Sequence, residues 1–195
     1  MLRQPLESGK VTISRVFSTV TYPSRFTLLG AMNPCPCGYL GSNSHYCTCT
    51  PKQVTAYKNR ISGPISDRMD ILLQLQPVSL EKESLDENET SSIIHKRVIE
   101  ARERQYKRNG NEQCNAVVPL ETLVEKFPLK NDQQRMLQQW SSKQNWSNRV
   151  QIKIIRLART ISDLNGADHI TNEALWEAMT LRRETRVKDQ KAMVK

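Results

Sequence analysis

The sequence has no apolar run approaching the roughly 18 to 20 residues that a membrane span requires, and its N-terminus lacks the continuous apolar core of a signal peptide. Both absences point to a cytoplasmic protein with no membrane partner. Also missing are the two features that nucleotide hydrolysis by a phosphate-loop enzyme requires. One is a glycine-rich loop whose backbone N–H groups cradle the phosphates; the other is an acidic pair that holds magnesium and aligns water. Gly9-Lys10 comes nearest, but the loop pattern needs glycine where Gln4 stands and serine or threonine where Val11 stands. The chain alone is therefore not expected to hydrolyse ATP. There is no disulfide framework spread along the chain either, because four of the five cysteines fall between Cys35 and Cys49. No internal repeat and no low-complexity tract occurs. With 195 residues the chain has room for one ordinary core or two small ones, which excludes a large enzyme.

What is present is basic. Lys and Arg number 29 against 20 Asp and Glu, a formal net charge of +9, which suits polyanionic partners; a merely soluble basic surface is the competing reading. Residues 1–78 read as mixed α/β. Val11 and Ile13 alternate with Thr12 and Ser14, predicting a half-buried strand; the stretch through Val20 and Tyr22 is its hairpin partner, with Arg15 towards the tip. The apolar run Phe26 to Met32 predicts a central strand that stops at Asn33-Pro34. Thr50 then offers an N-cap and Pro51 a first helical residue, with Val54, Tyr57 and Ile61 on one face and Ser62-Gly63-Pro64 as the stop. Ile71, Leu73 and Leu75 predict a last strand closed by Pro77.

Residues 79–92 carry Glu81, Glu83, Asp86, Glu87 and Glu89 with only Lys82 opposing them, the pattern of an exposed linker. Residues 93–195 read as helical. A basic helix runs from about Ser92 to Arg108, and short ones lie near Leu120 to Lys126 and Lys130 to Ser141. A long helix follows, in which Val150, Ile154, Leu157, Ile161 and Leu164 recur at offsets of four and three until Asn165-Gly166 stops it. Thr171 caps a final helix before a basic tail.

Cys35-Pro36-Cys37 and Cys47-Thr48-Cys49 are separated by nine residues, with His45 nearby and Gly38 and Gly41 allowing tight turns. Four thiolates so grouped suit tetrahedral zinc. A single residue between paired cysteines is tighter than the usual spacing, so reduced structural thiols and a disulfide stay open as alternatives. Cys114 stands apart and takes no role.

The segments MLRQPLESGKVTISR, FTLLGAMNPCPCGY, RISGPISDRMDILLQL and IIRLARTISDLNG together resemble the magnesium-chelatase-like AAA+ ATPases of the competence protein ComM type, and the match spans nearly the whole chain. The resemblance implies the C-terminal portion of such a protein. Residues 1–78 would then be part of an AAA+ α/β core with an inserted β-hairpin and a Cys-rich loop, 79–92 a linker, and 93–195 a helical lid. It also implies that the acidic pair and phosphate loop lie upstream, so that Met1 corresponds to an internal position of a longer protein.

Four residue roles come with the resemblance. Asn33 is similar to the sensor-1 residue that hydrogen-bonds attacking water or γ-phosphate, against a plain turn role before Pro34. Arg68 resembles the arginine finger offered to a neighbouring subunit's nucleotide, oriented by Asp67 and Asp70, against a surface ion pair with either. Arg149 resembles sensor 2, reaching the phosphates, against a solvated helix arginine. Arg15 sits where related replicative helicases place a basic hairpin residue facing DNA in the pore, against a solvated edge charge. The implied function is a ring of identical subunits, a hexamer, that uses ATP and magnesium to translocate or branch-migrate DNA in recombination and natural transformation. Two rivals are a chelatase-type motor that inserts a metal into a ligand and a non-enzymatic basic zinc module that binds nucleic acid or protein.

Overall fold

A computed structural model describes residues 3–42, 44–61, 63–75, 89–110 and 113–182. They form two compact units, one reaching Met69 and the other within Asp70–Glu184. In the first unit, helix α1 (Arg3–Ser8) hands over to strand β1 (Lys10–Arg15) through Gly9, whose φ of +62° is the left-handed turn that favours glycine. Strand β2 (Ser18–Pro23) returns antiparallel, with register Lys10↔Pro23 at the base and Arg15↔Ser18 at the tip. Gly9 therefore serves the hairpin base, where its carbonyl accepts from Ser24 N–H at 2.7 Å. Cross-strand hydroxyl pairs tie one face, Thr12 with Thr21 at 3.0 Å and Ser14 with Thr19 at 3.1 Å.

The hairpin forms as the alternation predicts, but its strands are not half-buried: apart from Val11, every residue of β1 and β2 is exposed. The run Phe26 to Met32 departs further, since it adopts no regular structure and Leu29 is 89% exposed. The reason is pairing. A strand needs a neighbour for its N–H and C=O groups, and among the described residues β1 and β2 pair only with each other. Helix α2 (Pro51–Lys58) starts as expected, in a capping box: Gln53 N–H donates to Thr50 Oγ1 at 3.3 Å and Thr50 N–H to Gln53 Oε1 at 2.8 Å. It ends at Lys58, before the expected stop, so Val54 is buried while Ile61 lies past the helix and is exposed. One turn of helix, α3 (Gly63–Ser66), precedes Arg68.

In the second unit the expected strand over Ile71, Leu73 and Leu75 is absent; the segment adopts no regular structure, and its Leu72 N–H donates to the Leu181 carbonyl at 2.8 Å. Pro77 and most of the acidic linker lie outside the described residues, as does the basic tail. Helix α4 (Ser91–Asn109) is capped by Thr90, whose hydroxyl accepts from Ile93 N–H. A 3-10 turn (Asn115–Val117) leads to α5 (Leu120–Lys126), α6 (Asn131–Gln144), α7 (Asn148–Leu164) and α8 (Asn172–Thr180). The stripe of α7 makes the core: Val150, Ile154, Ala158 and Ile161 pack with Leu123, Leu137, Leu175 and Met179. Gly166, at φ +76°, turns the chain after α7. Among the described residues no helix is long and apolar enough to cross a membrane.

Candidate functional site

The chain leaves the irregular apolar run at Asn33, which is exposed, and enters the cysteine loop directly. Cys35 is fully buried, and Gly38 N–H donates back to its carbonyl at 3.1 Å to close a turn. Gly38 and Gly41 take φ of +84° and +83°, so the two glycines make the tight turns the sequence anticipates. The turns bring Cys35, Cys37, Cys47 and Cys49 together, with all four sulfurs within 4.8 Å of one another. Cys35 Sγ lies 3.3 Å from Cys37 Sγ and 3.8 Å from Cys47 Sγ, and Cys37 and Cys47 sulfurs are 3.6 Å apart. None of these cysteines is in a disulfide.

Main-chain donors converge on the sulfurs: Tyr39 N–H on Cys37, Cys49 N–H on Cys47, and Cys37 N–H on Cys49. Donation from Tyr39 brings the Cys37 thiol down to about 6, helped by the other three cysteines. For Cys49 the Cys37 N–H pulls the same way, but desolvation and the neighbouring sulfurs outweigh it and the thiol is pushed up to about 12. Cys47 follows Cys49: donation from the Cys49 N–H is outweighed by desolvation and by Cys37 and Cys35, and its thiol goes up. His45 stays outside this set, stacked on Tyr39 with ring centroids 4.8 Å apart and its Nδ1 paired with Ser44 Oγ at 2.9 Å. Asn33 adjoins the loop from the other side, since a Cβ placed on Gly38 would lie 3.9 Å from Asn33 Nδ2.

Arg68 is mostly buried, its side chain 11% exposed. Its Nη1 donates to the Pro64 carbonyl at 2.6 Å, and its Nη2 forms an ion pair with Glu7 of α1. The sequence pointed to Asp67 and Asp70 for this partnership. The carboxylate that Arg68 meets comes instead from 61 positions away, while Asp70 takes Lys153 at 2.5 Å. Sequence reasoning missed Glu7 because no local spacing links it to Arg68. Arg15 is exposed at the hairpin tip, beside Val16 at 92% and Phe17 at 98% exposure, an apolar pair that the strand pattern had left unremarked. Arg149 is exposed at the second position of α7, whose N-cap Ser147 accepts from Val150 N–H. Asn33 and Arg68 belong to the first unit and Arg149 to the second.

The second unit also buries charge. Asp163 of α7 accepts from Arg108 of α4 at 2.8 and 2.6 Å, from Arg159 at 2.7 Å and from Asn115 at 2.9 Å. Desolvation alone would raise the Asp163 carboxyl, but Arg108, Arg159 and Asn115 together overcome it and hold the group below its usual value. Both guanidiniums also face the Phe127 ring, at 5.0 and 5.8 Å from its centroid. The i, i+4 spacing of Arg159 and Asp163 was a visible signal; their burial was not.

Two family models match the chain: magnesium chelatase, subunit ChlI, over residues 1–83, and magnesium chelatase, subunit ChlI C-terminal, over residues 88–182. Among curated proteins, the uncharacterized protein YifB of Salmonella typhimurium is 38% identical over 183 residues, covering 93% of this chain and 35% of its own length. The competence protein ComM of Haemophilus influenzae is 35% identical over 189 residues, covering 95% of this chain and 36% of its own length. An uncharacterized protein of Mycobacterium tuberculosis is 31% identical over 167 residues, 85% of this chain and 33% of that protein. The chain thus spans about a third of the length of the curated relatives it matches.

Proposed function

The chain belongs to the magnesium-chelatase-like family that includes ComM, and from that membership we propose that it is part of a ring-forming AAA+ ATPase that moves along or branch-migrates DNA. In this reading ATP and magnesium are held mainly by the rest of the protein. The ring is built of identical subunits, six by analogy with related motors. Arg68 completes the neighbouring subunit's site, placing a planar guanidinium where charge gathers on the departing γ-phosphoryl group. Asn33 positions the attacking water. Arg149 reads the phosphates from the first turn of α7, where the helix N-terminus also favours an anion.

The observation that carries DNA rather than metal insertion is the hairpin. A two-stranded ribbon that buries almost nothing, with Arg15, Val16 and Phe17 exposed at its end, has no packing role among the described residues. Arginine there can follow phosphates without reading sequence, and an exposed aromatic ring can stack on any base. A role in competence, which the Haemophilus influenzae relative carries in its name, fits DNA handling of this kind. The test is binding of forked DNA by the full-length protein, with and without Arg15→Ala and Phe17→Ala. The reading expects salt-dependent binding that both substitutions weaken, while nucleotide binding persists. Binding unaffected by either substitution would return the choice to a chelatase-type motor.

A further inference from the structure

We propose that Cys35, Cys37, Cys47 and Cys49 bind one zinc ion as a structural tetrathiolate centre, and that this centre braces the loop following Asn33. The inference is independent of the motor reading. Its first support is metric: four sulfurs about 2.3 Å from a zinc ion at the centre of a tetrahedron are about 3.8 Å apart along each edge. The sulfur separations of 3.3, 3.6 and 3.8 Å approach that edge, and a disulfide would need about 2.05 Å. The second support is the scarcity of apolar packing in the loop. Among the described residues of 34–50 only Cys35 is buried, so the loop has no apolar core, and short segments of this kind are commonly held by metal.

Single-residue spacing within each pair, which counts against zinc in the sequence, still leaves all four sulfurs within 4.8 Å of one another. Four soft ligands with no open position select zinc for a structural role over hard cations. Binding releases the thiol protons to solvent and changes no oxidation state. Because the Asn33 side chain lies over Gly38, a rigid loop fixes Asn33 where the expected strand does not.

The whole chain, purified without added metal, is assayed by elemental analysis, and about one zinc per chain is expected. Cys47→Ser and Cys49→Ser should each lose most of it, while Cys114→Ser keeps it. Where a variant has lost its helical circular dichroism, cobalt replacement in the unaltered chain decides. Tetrahedral d–d bands with strong thiolate-to-metal charge transfer support the centre, and an octahedral spectrum refutes it. A folded, metal-free chain with all five thiols reactive overturns the proposal, and iron in place of zinc overturns the metal assigned. Removing zinc should speed protease cleavage between Asn33 and Cys49 while sparing α7; unchanged cleavage there would refute the bracing role.

Discussion

Arg68 is the residue on which the trans-acting reading turns, and its surroundings sharpen the expectation. Held by Glu7 and by the Pro64 carbonyl, its guanidinium is already oriented and largely desolvated, so little rotamer entropy is left to lose when a phosphate arrives. In the complete protein, Arg68→Ala should leave nucleotide affinity nearly intact and cut turnover by on the order of 10³-fold or more. Glu7→Gln should cost less than about 1 kcal/mol of stability, because Glu7 is close to half exposed and such ion pairs are weak. Mixing experiments separate the roles. A subunit lacking Arg68 but owning an intact phosphate loop should regain activity beside a subunit of opposite defect, since shared interfaces are then complete. Rings that form without any recovery would reduce Arg68 to a structural ion pair with Glu7.

At the scale of elements, α7 holds the second unit together through both its apolar stripe and its buried charge. Asp163 is 2% exposed and Arg159 is fully buried, so removing the carboxylate leaves guanidinium charge in a low-dielectric interior. Asp163→Asn should therefore destabilise the second unit by about 3 to 5 kcal/mol, read from its denaturant midpoint. The pH dependence has a definite sign. Because the folded carboxyl titrates below its unfolded value of about 3.9, its contribution is full above that value and is lost as pH falls through the lower folded value. Acid titration of the unaltered chain should show a loss of stability below about pH 4 that Asp163→Asn flattens. In the first unit, Thr50→Ala removes the capping box of α2 and should cost about 1 kcal/mol, measurable as a shift in thermal midpoint. The starts of α2 and α8 were readable because Thr50 and Thr171 cap them through local hydrogen bonds, and in the structure Thr90 and Ser147 cap α4 and α7 in the same way.

For the whole molecule the proposed DNA-motor reading makes a further expectation, with which this chain's net charge of +9 agrees: in the full-length protein, the logarithm of DNA affinity should fall linearly with the logarithm of salt concentration. Arg15→Ala should reduce that slope by about one, as for the loss of a single phosphate contact. An unchanged slope would place Arg15 away from the backbone. By itself the sequence determined the hairpin, the capped helices, the α7 stripe and the cysteine spacing, because each depends on residues within a few positions of one another. Only the tertiary structure decided the rest. Phe26 to Met32 and Ile71 to Leu75 carry strand composition but no strand, because a strand exists only when a distant segment supplies its hydrogen-bond partners. The pairing of Glu7 with Arg68, the burial of Asp163 between Arg108 and Arg159, and the convergence of four sulfurs were likewise set by distances across the folded chain, which spacing along the sequence does not encode.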